Sequence, residues 1–195
     1  FGCQLPMETS RGCPYSCTVC TESVRKKKWR ALSAQRVIND IKQYIQQYKI
    51  VDISFIDDNF FGDVQRAKDI VKLMIQEKLN IRWYINIRPD FIARTEPEFI
   101  ALLGESGCRV VTFGVESGSE RILSMIDKRA TLGQIDTASD KIRNSKIYPH
   151  FVLITGFPTE TPKEIINTVL MAIQLLLNDE KAFCDVPFLI PTPGT

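Results

Sequence analysis

The chain has 195 residues, of which 44% are hydrophobic and 25% are charged, the proportions of an ordinary soluble globular domain. Its net charge of +2 argues neither for nor against a nucleic-acid partner, and no apolar run approaches the ~18 residues of a membrane span. Six cysteines in such a chain are typical of cytosolic thiols and metal ligands. We therefore expect a cytoplasmic protein with neither a disulfide framework nor a membrane partner.

The two ends of the sequence bear on its domain organisation. The chain begins at Phe1 without a methionine, and its last residues, 193–195, directly follow an apolar segment. We therefore expect residues 1–195 to be one domain of a longer protein, lacking an N-terminal domain and C-terminal segments of that protein.

A short apolar segment, Gln4 to Met7, predicts a first strand, and a loop with three cysteines follows it. Cys13, Cys17 and Cys20 have the spacing CxxxCxxC, so their sulfurs can converge on one small inorganic group. A four-iron cluster with every iron bound by protein needs four thiolates, and this loop holds three. One iron would therefore be open to another molecule.

Two other interpretations of these cysteines are weaker. A zinc site usually has four ligands, often as two pairs, and the only histidine, His150, is distant in sequence. Disulfides need an oxidising compartment, and three neighbouring cysteines cannot all pair with each other. Cys3, Cys108 and Cys184 have no partner spacing and are interpreted as small buried hydrophobic residues.

Helical and strand patterns alternate along the rest of the chain. Ser33 and Asp63 are predicted to cap two helices, and the motifs at 95–98 and 161–164 predict capping boxes that open two more. Further helices are predicted around 120–126 and 131–144. The five later strands are predicted at 51–56, 81–87, 109–115, 148–155 and 183–190.

This alternation indicates an α/β fold of six βα units with parallel strands. A complete eight-unit barrel usually needs ~250 residues, so six units suggest a partial barrel, and an open doubly wound sheet fits the alternation equally well. Polar residues follow the second to fifth strands, at 57–59, 86–88, 116–117 and 155–156. Because such positions face one common mouth in a barrel, we predict a partial TIM-like (β/α)6 barrel.

Together with the cysteine spacing, four short motifs indicate a family: ETSRGCPY at 8–15, GVESGS at 114–119, GFPTET at 156–161 and PTPGT at 191–195. The sequence resembles the core domain of the radical S-adenosylmethionine (SAM) superfamily over nearly its whole length. It is most similar to the enzymes whose radical domain follows a cobalamin-binding domain.

The resemblance implies that Cys13, Cys17 and Cys20 hold a 4Fe-4S cluster and that the amino and carboxylate groups of SAM bind the fourth iron. It implies reductive cleavage of SAM to a 5′-deoxyadenosyl radical, cobalamin in a domain that this chain does not contain, and methyl transfer or related radical chemistry. The implied partners are a small-molecule substrate and an external one-electron donor such as flavodoxin or ferredoxin, and we expect no nucleic-acid partner.

The resemblance also implies residues that contact SAM. Val19 would lie against the adenine, and Lys128 matches a basic position used on the SAM carboxylate. Asp57 and Asp58 stand where many relatives carry a Gly-Gly-Glu-type motif that receives the SAM amino group. The remaining implied contacts are Asn86, Arg88, Glu116, Ser117 and Gly156.

Two alternative functions remain open at this point. One is a methylthiotransferase-like radical SAM enzyme acting on tRNA or protein, although the Cys-Pro-Tyr wording at 13–15 is unusual there. The other is a non-catalytic iron–sulfur electron-transfer or zinc module, which would need a fourth ligand close to the loop.

Overall fold

The structure is a computed structural model that describes residues 3–21 and 28–191. Within these residues, six strands form one parallel sheet in the order β1-β4-β5-β6-β7-β8. Its strands are β1 Cys3–Met7, β4 Ile50–Phe55, β5 Arg82–Ile87, β6 Cys108–Glu116, β7 Tyr148–Leu153 and β8 Phe183–Asp185. A short antiparallel pair, β2 Ser10–Arg11 and β3 Arg30–Ala31, lies outside this sheet.

The order of the strands decides between the two predicted architectures. Every strand of the large sheet is added beside the preceding one, and all neighbours are parallel. A doubly wound sheet would instead reverse its order at a switch point. The sequential order therefore agrees with the predicted partial (β/α)6 barrel, and the carboxyl ends of the strands lie at one edge.

Helices connect the strands and end close to the predicted positions. They are α1 Ala34–Tyr48, α2 Val64–Gln76, α3 Pro89–Arg94, α4 Pro97–Glu105, α5 Glu120–Met125, α6 Leu132–Arg143 and α7 Pro162–Asn178, with a 3-10 turn at Phe60–Gly62. Ser33 and Asp63 accept the predicted capping hydrogen bonds, and Thr161 and Glu164 form the predicted box. None of the described helices is long and apolar enough to cross a bilayer.

The predicted capping box at 95–98 is wrong. Pro89 starts α3, a helix that was not predicted, and Thr95 is the residue that ends it. The hydroxyl of Thr95 therefore donates back to the carbonyl of Phe91, at 2.8 Å, instead of capping α4. Glu96 precedes α4 without a side-chain cap, and Pro97 begins it, because a helix start does not need the missing N–H.

The two faces of the sheet differ sharply in burial because side chains alternate along each strand. We call the apolar face packed against the helices the covered face; its central residues, all buried, are Ile53, Phe55, Trp83, Ile85, Val111, Phe113 and Phe151. We call the other the open face; its residues, matched across strands by the register, include Ser54, Tyr84, Asn86, Thr112, His150 and Asp185. The sequence positions that could bind a ligand are therefore concentrated on the open face and at its carboxyl edge.

Candidate functional site

A cavity lies at the carboxyl ends of β4, β5 and β6, beneath the cysteine loop. Nine of the twelve predicted site residues line it, together with four residues that were not predicted individually. The nine are Cys13, Cys17, Val19, Cys20, Asp58, Asn86, Arg88, Glu116 and Lys128. The other four are Tyr15, Asn59, Ile87 and Gly114.

Backbone contacts fix the cysteine loop over this edge. The N–H of Gly12 donates to Asp58 Oδ2 at 2.7 Å, so the carboxylate that follows β4 anchors the start of the loop. The N–H of Thr18 donates to the carbonyl of Ile126 at 3.0 Å and ties the middle of the loop to the segment after α5. The side chain of Val19 packs on a small apolar cluster that contains Ile126 and Phe157.

Two of the three thiols receive donors from the strand ends. Asn59 Nδ2 lies 3.8 Å from Cys13 Sγ, and Arg88 Nη1 lies 3.7 Å from Cys17 Sγ, within the range of hydrogen bonds to sulfur. Burial raises the pKa of the Cys13 thiol, and hydrogen bonds from the Tyr15 backbone and Asn59 oppose this effect. On Cys13 these donors favour the thiolate, which is the form that binds iron.

The donor set fits an iron–sulfur cluster. Three cysteines line one cavity, and thiolates are the ligands that such clusters use. In the described part of the chain, no three His, Cys, Asp or Glu side chains are already arranged around a single metal ion. The thiols of a 4Fe-4S cluster bind separate irons, so they need to border one cavity and need not meet at one point.

Arg88 is held on several sides at the end of β5. Its Nε donates to Asp90 Oδ1 at 2.8 Å, and its Nη2 donates to the backbone carbonyl of Lys128. The guanidinium carbon lies 3.8 Å from the centre of the Tyr15 ring, a cation–π arrangement. The side chain therefore connects β5 to the cysteine loop and to the segment after α5.

Glu116 and Lys128 form an ion pair inside the cavity, with Lys128 Nζ 2.6 Å from Glu116 Oε1. Their side chains are only 15% and 9% exposed. The pairing of β6 with β7 is irregular between Gly114 and Glu116, and Glu116 has a φ of +68°, a conformation that non-glycine residues rarely adopt. Such strained residues concentrate at functional sites, and this one ends the strand inside the cavity.

Gly114 makes room for this ion pair. A Cβ at position 114 would lie 2.7 Å from Glu116 Oε1 and 2.8 Å from Lys128 Nζ, closer than carbon normally approaches these atoms. A glycine is therefore needed for the pair to keep its present position.

Asp57 does not line the cavity, and its contact with SAM stays a prediction. It is buried below the start of the cysteine loop and accepts hydrogen bonds from the Thr9 N–H at 3.1 Å, from the Thr9 hydroxyl at 2.8 Å and from the Ser10 hydroxyl. Asp57 therefore holds the chain that leads into the loop, while its neighbour Asp58 reaches the cavity.

Ser117 and Gly156 also lie outside the cavity lining, and their contacts with SAM stay predictions. Ser117 is fully buried; its Oγ accepts from the Ser119 N–H at 3.1 Å and lies 3.3 Å from Thr168 Oγ1, which joins the turn after β6 to α7. Gly156 has a φ of +85° and donates its N–H to Glu160 Oε2 at 2.6 Å. It serves a tight turn, a place where glycine is favoured because it tolerates positive φ.

The unpredicted residues have sequence signals that could have found them. Tyr15 and Gly114 stand in the motifs ETSRGCPY and GVESGS, and Asn59 belongs to the polar positions 57–59 that follow the second predicted strand. Ile87 ends a strand between Asn86 and Arg88, and it supplies an apolar wall.

The remaining cysteines lie away from the cavity. Cys108 is buried on the covered face, and this burial raises the pKa of its thiol, in agreement with a small hydrophobic role. Partial burial raises the pKa of Cys184 to about 11. The side chain of Cys3 and residues 192–195 of the PTPGT motif lie outside the part of the chain that the structure describes.

Comparison with known proteins identifies the family to which this chain belongs. The radical SAM superfamily model matches residues 7–172. An uncharacterized methyltransferase of Pyrococcus horikoshii is 35% identical over 189 residues, which are 96% of this chain and 39% of that protein. Bacteriochlorophyllide d C-12(1)-methyltransferase of Chlorobaculum tepidum is 27% identical over 195 residues, 98% of this chain and 41% of that protein. The chain thus spans about two fifths of the length of these relatives.

A similar fold occurs in a solved structure of TsrM from Kitasatospora setae, described as a radical SAM methyltransferase with cobalamin and a 4Fe-4S cluster bound. Its TM-score is 0.79 at 19% identity, and the match covers 95% of this chain and 37% of TsrM. This likeness confirms the partial-barrel fold that was predicted. With the family match over most of its length, the chain belongs to the radical SAM superfamily.

Proposed function

We propose that residues 1–195 are the radical SAM core domain of an enzyme that holds a 4Fe-4S cluster and SAM in this cavity. One observation carries the proposal: three thiols and the polar ends of three strands line one cavity, although the contributing residues lie up to 115 positions apart (128 minus 13). A domain that used its cysteines only to bind a structural metal would not need the Glu116–Lys128 ion pair and the polar strand ends beside them.

The chain's own residues divide the work of holding the cofactors. Cys13, Cys17 and Cys20 would bind three irons and leave the fourth accessible to SAM. When bound, the reduced cluster would supply one electron that breaks a carbon–sulfur bond of SAM and yields a 5′-deoxyadenosyl radical. The protein would contribute orientation and exclusion of water, which Ile87 and the apolar cluster below Val19 support.

The charges in the cavity suit the amino-acid part of SAM. SAM has an amino group and a carboxylate there, and the cavity offers the carboxylates of Glu116 and Asp58 as acceptors for the amino N–H groups and Lys128 as a cation for the carboxylate. Glu116 and Lys128 now satisfy each other at 2.6 Å, so each would exchange its partner for one of these SAM groups on binding. Neither side chain would then be left without a partner.

The reaction we propose is cobalamin-associated methyl transfer to a small-molecule substrate, because both curated relatives described above are methyltransferases by name. Cobalamin would be bound outside this chain, and a low-potential donor such as flavodoxin or ferredoxin would deliver the electron. A cytoplasmic location, where such donors work, stays a prediction. The methylthiotransferase and non-catalytic alternatives have no comparable support.

The proposal is tested with the intact protein, reconstituted anaerobically with iron and sulfide and then reduced with dithionite in the presence of SAM. We expect formation of 5′-deoxyadenosine, and its loss when Cys17 is replaced by alanine. A reconstituted protein that binds a 4Fe-4S cluster but neither binds nor cleaves SAM would contradict the proposal.

Methyl transfer itself needs a second measurement, because reductive cleavage alone is common to the superfamily. SAM labelled in its methyl group is incubated with the same protein and with cobalamin reduced to the Co(I) state, which would accept a methyl cation and release S-adenosylhomocysteine, and we expect the label to appear on cobalamin. Label that stays entirely on SAM, in protein that forms 5′-deoxyadenosine, would point to radical chemistry other than methyl transfer.

A further inference from the structure

Arg88 has a position that its proposed contact with SAM does not explain. Its side chain is only 13% exposed, and all three guanidinium nitrogens have a partner. Nε faces Asp90, Nη2 faces the carbonyl of Lys128, and Nη1 faces Cys17 Sγ at 3.7 Å. The guanidinium therefore faces the cysteine loop from the barrel side.

A second arginine shows how this orientation is fixed. Arg94 Nη2 lies 2.8 Å from Asp90 Oδ2, while Arg88 Nε lies 2.8 Å from Asp90 Oδ1, so one buried carboxylate binds both. The side chain of Arg94 is 65% exposed, and Arg94 follows Asp90 by four residues, about one turn of α3. Of the two arginines, Arg88 is the largely buried one and contacts the thiol, while solvent screens the charge of the exposed Arg94.

The ring of Tyr15 closes the remaining side of the guanidinium. The ring centre is 3.8 Å from the guanidinium carbon, and Tyr15 stands between the first two cysteines of the loop. A planar guanidinium can stack on a ring and donate in its own plane at the same time, which a lysine cannot do. Turning Arg88 towards another ligand would break the stack and leave Asp90 with one partner fewer.

We propose that Arg88 is a positioning residue for the iron–sulfur cluster, which it stabilises in the reduced state by an N–H···S hydrogen bond to Cys17 and a fixed positive charge. The proposal rests on the proposed function, in which Cys17 binds iron. Hydrogen bonds to cluster sulfurs and nearby charge are established determinants of cluster potentials. Reduction adds one electron from a low-potential one-electron donor, and no proton moves, because arginine does not titrate in proteins.

The experiment compares Arg88→Met with Arg94→Met in the intact, reconstituted protein. Arg94→Met is the matched control, because it removes the other partner of Asp90 without touching the cysteine loop. Iron content is measured first, and the midpoint potential is then obtained from the reduced-cluster EPR signal in a dithionite titration. We expect both variants to keep their iron and only Arg88→Met to move to a more negative potential.

The expected size is about a tenfold lower ratio of reduced to oxidised cluster at a fixed potential, equivalent to about 59 mV for a one-electron couple. Arg88→Gln, which keeps a donor without the charge, should move in the same direction by less. It also replaces Arg88→Met in the comparison if that variant does not assemble a cluster.

Three results would overturn the inference. They are an unchanged potential in the Arg88 variants, equal shifts in the Arg88 and Arg94 variants, and a loss of SAM affinity without any shift in potential. The last result would restore Arg88 to a contact with SAM alone. A wild-type protein without any 4Fe-4S signal would instead refute the proposed function, so the two failures are distinguishable.

Discussion

The covered face and the open face of the sheet are built from the same six strands and do different work. On the covered face, neighbouring strands contribute aromatic and β-branched side chains such as Trp83 and Phe113 that are fully buried. On the open face, many of the alternate residues are polar, and they lead towards the cavity at the carboxyl edge. Stability and ligand binding therefore depend on alternate positions of the same strands.

Polar contacts on the open face connect adjacent strands. Thr112 Oγ1 lies 3.2 Å from His150 Nδ1, and His150 Nε2 lies 2.9 Å from Asp185 Oδ2, so one row crosses β6, β7 and β8. Tyr84 donates to Asp52 at 3.1 Å in a second group. These polar side chains hydrogen-bond to one another, but they bury little apolar area. They should therefore contribute far less to stability than the side chains of the covered face.

Neighbouring residues of β6 give the largest expected contrast. Phe113→Ala removes a fully buried ring that stacks on Phe151 at 5.4 Å, and we expect a loss of about 3–5 kcal/mol in unfolding free energy. Thr112→Ala removes one hydrogen bond on the open face and should cost about 1 kcal/mol. Urea denaturation of both variants measures the difference, and equal losses would contradict the division between the faces.

The ion pair in the cavity should serve both stability and binding. Lys128→Met leaves the Glu116 carboxylate without its partner in a largely buried place, and we expect a loss of about 2–3 kcal/mol with most of the SAM affinity. The double variant Lys128→Met, Glu116→Gln should recover stability, because no unpaired charge remains, and should still bind SAM weakly. A double variant that recovers both would show that the pair is structural only.

Alanine substitutions at two glycines distinguish crowding in the cavity from the general effect of adding a methyl group. Gly114→Ala should displace the Glu116–Lys128 pair and lower SAM affinity with little change in fold. Gly133 lies in α6 with open space around it, so Gly133→Ala should raise stability by about 0.5–1 kcal/mol and leave binding unchanged. SAM binding by isothermal titration calorimetry checks both, and undiminished binding in Gly114→Ala would contradict the proposed arrangement.

The smallest expected effect on stability comes from replacing Asp52, which lies on the open face away from the cavity. Hydrogen bonds from Arg82 lower the pKa of the Asp52 carboxyl. A lowered pKa stabilises the fold above the ordinary carboxyl range, and this contribution is lost as pH falls through the lowered pKa. Asp52→Asn should therefore be slightly less stable than wild type near pH 7 and match it in acid. A difference that grows as pH falls would have the wrong sign.

Much of the fold could be predicted from the sequence because periodicity and helix caps are local signals. The strand ending at Ile87 was predicted to its last residue, and Ser33 and Thr161 mark real helix starts. The short helix α3 was missed because Pro89 marks a strand break and a helix start equally well. Thr95 was consequently placed at the wrong helix end.

The site was only partly predictable. Cysteine spacing is local, so the three thiols could be read directly, and nine predicted residues share the cavity. Asp58 lines the cavity, whereas the adjacent Asp57 accepts a hydrogen bond from Thr9. This difference depends on the conformation of the turn after β4, which the sequence alone does not determine. The orientation of Arg88 depends on Asp90 and Tyr15 together, and only the folded chain brings them into contact.

The central claim is that the three loop thiols hold a cluster at the carboxyl edge of the open face. The most direct test is the iron content and EPR spectrum of the anaerobically reconstituted protein with Cys13, Cys17 or Cys20 replaced singly by alanine, beside Cys108→Ala. We predict a 4Fe-4S signal in wild type and Cys108→Ala, and its loss in each loop variant. A loop variant that keeps a complete cluster and still cleaves SAM, or a Cys108 variant that loses iron, would contradict the account.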